Sequence, residues 1–153
     1  MKLICAALLA LALPLAGPAQ AAITSQSWGA LDGKGVDLFT LTNAAGMEAK
    51  ITNYGGVITS IRVPDKNGAM ANVVQGFDSL NDYTSVDYKG RYGALIGRFA
   101  NRIKDNIFSI GNVTYHINRE AHILNDANNK PYDERVWDAR ARNGDEPQLV
   151  LSL

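Results

Sequence analysis

Cysteine is almost missing from this chain: among 153 residues there is one, Cys5. A disulfide framework, a thiolate zinc site and a cysteine nucleophile downstream of it are all excluded by that count. Charge of one sign is not in excess either, with 15 basic and 15 acidic side chains. A balanced, evenly mixed surface gives no electrostatic reason to expect nucleic acid or an anionic membrane as a partner. Histidine occurs only twice, as His116 and His122, and no metal-ligand spacing surrounds either. A P-loop, a G-x-G-x-x-G and a G-x-S-x-G are also lacking. Finally, no apolar run reaches the roughly 20 residues that a membrane-spanning helix requires.

The longest apolar stretch, residues 3–15, follows the positive start Met1-Lys2 and precedes Pro18-Ala19-Gln20-Ala21. A positive start, a short apolar run and small residues of the A-x-A type describe a secretory signal peptide. Cleavage after Ala21 is expected, so residues 1–21 are assigned to the leader and 22–153 to the mature domain. A periplasmic or secreted location follows, with no membrane contact after cleavage. Cys5 lies inside the leader rather than at its end, which argues against lipidation. A chain of about 130 residues buries roughly two-thirds of its unfolded surface, enough for one packed core without disulfides.

The dominant period in 22–153 is two. Strands are expected at 36–42, with a shift of face midway, and at 47–54, 57–63, 71–75, 92–96, 107–110, 113–117, 135–139 and 147–153. Asn43-Ala44-Ala45-Gly46, Asp65-Lys66-Asn67-Gly68 and Gly111-Asn112 carry turn chemistry between them. One short helix is expected from Leu80 to Tyr83, capped by Asp78 or Ser79. Strand-length segments at this spacing read as an all-β sandwich or barrel. Apolar residues that run to Leu153 suggest a strand without its partner, and so a truncated sandwich open to self-association through an uncovered edge.

Chemistry is sparse in this inventory. Gly97-Arg98-Phe99-Ala100-Asn101-Arg102-Ile103 follows directly from an apolar segment and places an asparagine between two arginines. Such a set suits either ion pairing with a nearby carboxylate or recognition of a neutral polyhydroxy ligand, since its donors and acceptors match vicinal hydroxyls. The acids Asp126, Asp133, Glu134, Asp145 and Glu146 lie in expected loops and read as solvated.

The same segment extends back through Tyr92-Gly93-Ala94-Leu95-Ile96. Asn53-Tyr54-Gly55-Gly56-Val57 and Val63-Pro64-Asp65-Lys66-Asn67-Gly68 precede it, together with Gly76-Phe77-Asp78-Ser79-Leu80-Asn81-Asp82-Tyr83. Tyr115, Asn118, Tyr132-Asp133 and Val136-Trp137 follow in order. Together these motifs resemble the aldose 1-epimerases, or galactose mutarotases, across nearly all of 22–153. The resemblance implies an antiparallel β-sandwich that binds hexoses such as galactose or glucose and interconverts their α and β anomers by acid–base ring opening. Neither a metal nor a cofactor is implied. By position, Asn101 and Arg102 match the family pair that contacts sugar hydroxyls.

Two departures accompany the likeness. The family's L-H-G-G segment corresponds here to Leu124-Asn125-Asp126-Ala127, so Asn125 replaces a histidine that contacts the sugar near its ring oxygen. Asparagine hydrogen-bonds a hydroxyl but does not deliver a proton near neutrality; His122 is the nearby substitute. The acid and the glutamate base that the resemblance implies have no match among these residues, so the catalytic residues are unassigned. Weak or absent epimerase activity is expected. A non-catalytic carbohydrate-binding β module and a non-functional product of a truncated gene remain the alternatives.

Overall fold

A computed structural model describes residues 20–85, 91–97, 100–101, 103–117 and 130–153. Five consecutive antiparallel strands form its main sheet: β1 (Ala22–Leu31), β2 (Lys34–Thr42), β3 (Glu48–Thr52), β4 (Ile58–Pro64) and β5 (Met70–Asn72), in chain order. Two further hairpins follow, β6 (Ile107–Ile110) with β7 (Val113–His116), and β8 (Asp138–Arg142) with β9 (Gln148–Ser152). Among the described residues, helix is limited to the five residues of α1 (Leu80–Thr84) and two 3-10 turns. The all-β, antiparallel class expected from the period-two pattern is the one observed.

The turns form for the reason their sequences suggest, because a side-chain carboxylate or amide takes over the backbone donors. Asn43 Oδ1 accepts from the amides of Ala45 and Met47 at 3.0 and 2.9 Å. Asp65 Oδ1 does the same for Asn67 and Ala69, both at 2.8 Å. At α1 the cap is Ser79 rather than Asp78: its Oγ accepts from the Asp82 amide at 3.3 Å.

Packing explains where the strand expectations differ from the structure. The expected change of face within 36–42 does not occur, since β2 pairs with β3 in unbroken register from Leu38↔Thr52 to Thr42↔Glu48. Val36 and Leu38 are buried on one face while Phe39 is buried on the other, so the strand is covered on both sides rather than bent. The irregularity sits on the neighbouring strand, between Ser27 and Gly29 of β1. That strand, the longest in the sheet, has no counterpart among the expected elements. Only Ile23 is buried along it, so an edge strand with exposed Thr24 to Ser27 shows no apolar alternation. β5 stops at Asn72, short of the expected 71–75.

Residues 92–96 form a turn and an extended loop instead of a strand. The chain reverses at Tyr92-Gly93, and its backbone bonds go to the β3–β4 connection: Ile58 N–H donates to Gly93 O at 3.0 Å and Leu95 N–H to Gly55 O at 2.9 Å. The strand expected at 135–139 starts later, at Asp138, with Val136 making an isolated antiparallel bridge to Tyr54.

The core gathers beneath the main sheet. Val36, Tyr54, Val57, Leu80 and Tyr83 pack together, with Trp28, Leu31, Ala94 and Val136 half-buried against them. Tyr83 anchors this cluster. Its ring meets Phe77 edge-on at 5.1 Å and Trp28 at 5.8 Å, and its hydroxyl accepts from the Phe77 amide at 2.8 Å. Both the ring area and the satisfied hydroxyl favour its burial.

Candidate functional site

Of the four residues singled out for sugar contact, Asn101 is placed, and it is exposed, with φ at +72°. Asparagine is among the few side chains that tolerate this left-handed backbone. Arg102, His122 and Asn125 lie outside the described residues, as do Arg98 and Phe99. The segments that precede and follow these residues in the chain, 91–97 and 130–137, are held in place by backbone hydrogen bonds.

Their common anchor is the turn Asn53-Tyr54-Gly55-Gly56 between β3 and β4. Asn53 is buried, and its Oδ1 accepts from the Asp37 amide at 2.8 Å while Nδ2 donates to Trp137 O at 3.2 Å. The Trp137 amide returns a bond to Asn53 O at 2.9 Å, and the Gly55 amide donates to Arg135 O at 2.7 Å. Gly55 is required here: its φ is +63°, and a Cβ on it would run into the Asp133 carbonyl. The segment leading to Asn101 is pressed on the same cluster, since a Cβ on Gly97 would stand 2.6 Å from the Tyr132 ring.

Electrostatics correct one sequence expectation. Asp133 is not solvated but buried, within the 3-10 turn Tyr132–Glu134. Arg91 Nη1 is in direct contact with its Oδ2, and Arg91 Nη2 lies 3.5 Å from Glu134 Oε1. A carboxylate so far from water is tolerated when a cation pairs with it. Its Oδ1 is buried without a hydrogen-bond partner among the described residues. Glu134, Asp145 and Glu146 are exposed as expected, and Asp126 lies outside the described residues. The Arg91–Asp133 pair carries no signal in the sequence, because its members are far apart in the chain and neither belongs to a spaced motif.

A cavity of about 260 Å³ opens beside this pair, lined by Tyr54, Tyr83, Arg91, Lys130, Asp133 and Glu134 among others. Lys130 closes one side by pairing with Asp32 of the β1–β2 turn. Burial pushes the Tyr54 hydroxyl above its ordinary pKa, and the Glu134 charge adds to the effect while Arg91 opposes it. Among the aromatic residues of the resembling motifs, Trp137 packs edge-on against Tyr132 at 5.3 Å and donates from Nε1 to Tyr132 O at 3.0 Å. Tyr115 belongs elsewhere, stacked on Phe108 across the β6–β7 hairpin at 5.2 Å. Phe99 is outside the described residues. No group of three metal-ligating side chains occurs among the described residues.

The antiparallel strands, and the anchored flanks of an asparagine–arginine pair, define a β-sandwich protein of the galactose mutarotase type. A solved galactose 1-epimerase from Lactobacillus acidophilus NCFM is similar over 86% of this chain and 38% of its own, with a TM-score of 0.67 and 25% identity. The family described as Aldose 1-epimerase matches residues 37–152, and this chain belongs to that family. The galactose mutarotase of Mus musculus is 34% identical over 93 residues, which are 60% of this chain and 26% of that protein. The aldose 1-epimerase of Escherichia coli K12 is 30% identical over 123 residues, 79% of this chain and 35% of that protein. The chain thus spans about a quarter to a third of the length of such relatives.

Proposed function

We propose that this chain binds hexoses such as galactose or glucose through Asn101 and Arg102, and that it accelerates anomer interconversion little or not at all. The observation that carries the binding reading is the clamp around the Tyr54-Gly55 turn. It fixes the segment entering Asn101 against the segment leaving residues 118–129, in a chain of the aldose 1-epimerase family. Weak catalysis follows from chemistry: Asn125 stands where the family resemblance implies a histidine, and no residue here matches its acid or base. General acid–base groups contribute about 10²–10⁴-fold each, so binding without them leaves the rate near the spontaneous one. No metal or cofactor enters this reading.

Polarimetry of freshly dissolved α-D-galactose and α-D-glucose tests it. A rate equal to that of buffer is expected; faster equilibration that disappears in Arg102→Ala would reassign the chain as an epimerase. Residues 1–21 support export to the periplasm or beyond, which N-terminal sequencing of the protein recovered outside the cytoplasm would check. The free edge of β9, paired with β8 alone among the described residues, supports self-association.

A further inference from the structure

Among the described residues, Arg91 joins the two segments that frame the proposed sugar-contacting residues by pairing with the buried Asp133 and lying near Glu134. We propose that Arg91 and Asp133 are positioning residues that set Asn101 for hexose binding. The proposal rests on the hexose-binding reading and adds to it two residues that do not themselves touch the sugar. Arg91 opens the segment that runs through Gly97 to Asn101, and Asp133 lies where the chain returns from the segment holding His122 and Asn125. Between them lies the Gly55 peptide, whose N–H is held by Arg135 O at 2.7 Å and whose carbonyl holds the Leu95 N–H at 2.9 Å. The Gly97 backbone then rests on the Tyr132 ring.

These backbone contacts fix both segments against the Tyr54-Gly55 turn, so the bonds tie each segment to the other through that turn. The ion pair adds a directed constraint. The Asp133 side chain is 5% exposed and that of Arg91 30% exposed, so the pair is poorly screened by water. The guanidinium is a rigid planar fork, and here one nitrogen meets Asp133 while the other faces Glu134. Two carboxylates of the 131–137 segment therefore fix the orientation of Arg91 as well as its distance. A second acceptor remains on Asp133 Oδ1, which the described residues do not fill.

Galactose titration by calorimetry, paired with urea denaturation, tests the proposal on the full chain. The variants are Asp133→Asn, Arg91→Met, the two combined, and Arg91→Lys. Each of the first two is expected to weaken galactose binding about tenfold while the chain remains folded at the titration temperature, with the double variant no weaker than the worse single one. A merely structural role would move the urea midpoint and leave the dissociation constant of the folded chain unchanged. Should Asp133→Asn or Arg91→Met fail to fold, Arg91→Lys decides, since it keeps the charge and gives up the fork. At least threefold weaker binding with a near-native midpoint is then expected, and a native dissociation constant overturns the proposal. Native-like binding in folded Asp133→Asn and Arg91→Met overturns it equally. If the native chain binds no galactose, the hexose reading itself falls and takes this role with it.

Discussion

Replacing Asn53 by alanine is expected to cost the fold about 2–4 kcal/mol, far more than the same change at Asn72. The two asparagines have similar partners. Asn53 Oδ1 accepts from Asp37 N–H at 2.8 Å and its Nδ2 donates to Trp137 O at 3.2 Å and, less well, to Gly35 O at 3.4 Å. Asn72 Oδ1 accepts from Ile61 N–H at 3.0 Å and Val74 N–H at 3.3 Å. What separates them is water. Asn53 is 5% exposed, so its truncation orphans groups that solvent reaches poorly, whereas Asn72 is exposed and water replaces its bonds. A buried donor left unsatisfied costs about 1–3 kcal/mol, and each further bond lost about 0.5–1.5 kcal/mol, which gives the range above. The exposed site is expected to lose less than about 1 kcal/mol. With a urea slope of about 2 kcal/mol/M, the Asn53→Ala midpoint falls by roughly 1–2 M and that of Asn72→Ala by less than about 0.5 M. Equal shifts in the two variants would refute the reasoning that burial decides the cost.

Three further outcomes are expected. Gly55→Ala forces a side chain into a left-handed backbone and against the Asp133 carbonyl, and a loss of at least about 2 kcal/mol is expected in thermal or urea melts. Burial raises the pKa values of Tyr54 and Tyr83 above the ordinary 10.0, so the native state holds their protons more tightly than the unfolded one. The resulting stabilisation is complete below pH about 10 and is lost as pH climbs through the raised values. Absorbance at alkaline pH is expected to show late tyrosine ionisation coincident with unfolding, and a single early step in a still folded chain would contradict it. Sedimentation velocity is expected to show concentration-dependent association that Val150→Lys, a charge on the half-exposed β9 edge, suppresses; a monomer at every concentration would contradict the edge reading.

Where local chemistry decides structure, the sequence was readable. Asn43, Asp65 and Ser79 each satisfy backbone donors within four residues of themselves, so their turns and cap follow from short-range spacing. The β6–β7 hairpin likewise follows from its Gly111-Asn112 turn. Long-range contacts were not readable. β1 is a strand because β2 offers it a ladder, and Thr24 to Ser27 show no pattern of their own. Residues 92–96 look like an apolar strand, yet their backbone partners are Gly55 and Ile58, which only the folded chain brings near. Asp133 reads as a loop acid in sequence and is buried because Arg91 arrives from another segment. Asn101 and Arg102 were found through family likeness; without it, ion pairing is the better reading of the arginines in this segment.

Calorimetric titration of galactose and glucose into the native chain and into Arg102→Ala decides whether the proposed Asn101–Arg102 pair holds a hexose. A hydrogen bond from a charged donor contributes about 1.5–3 kcal/mol, so removing the guanidinium is expected to weaken saturable binding by roughly ten- to a hundredfold. Binding that is absent in the native chain, or equal in both proteins, would contradict the account.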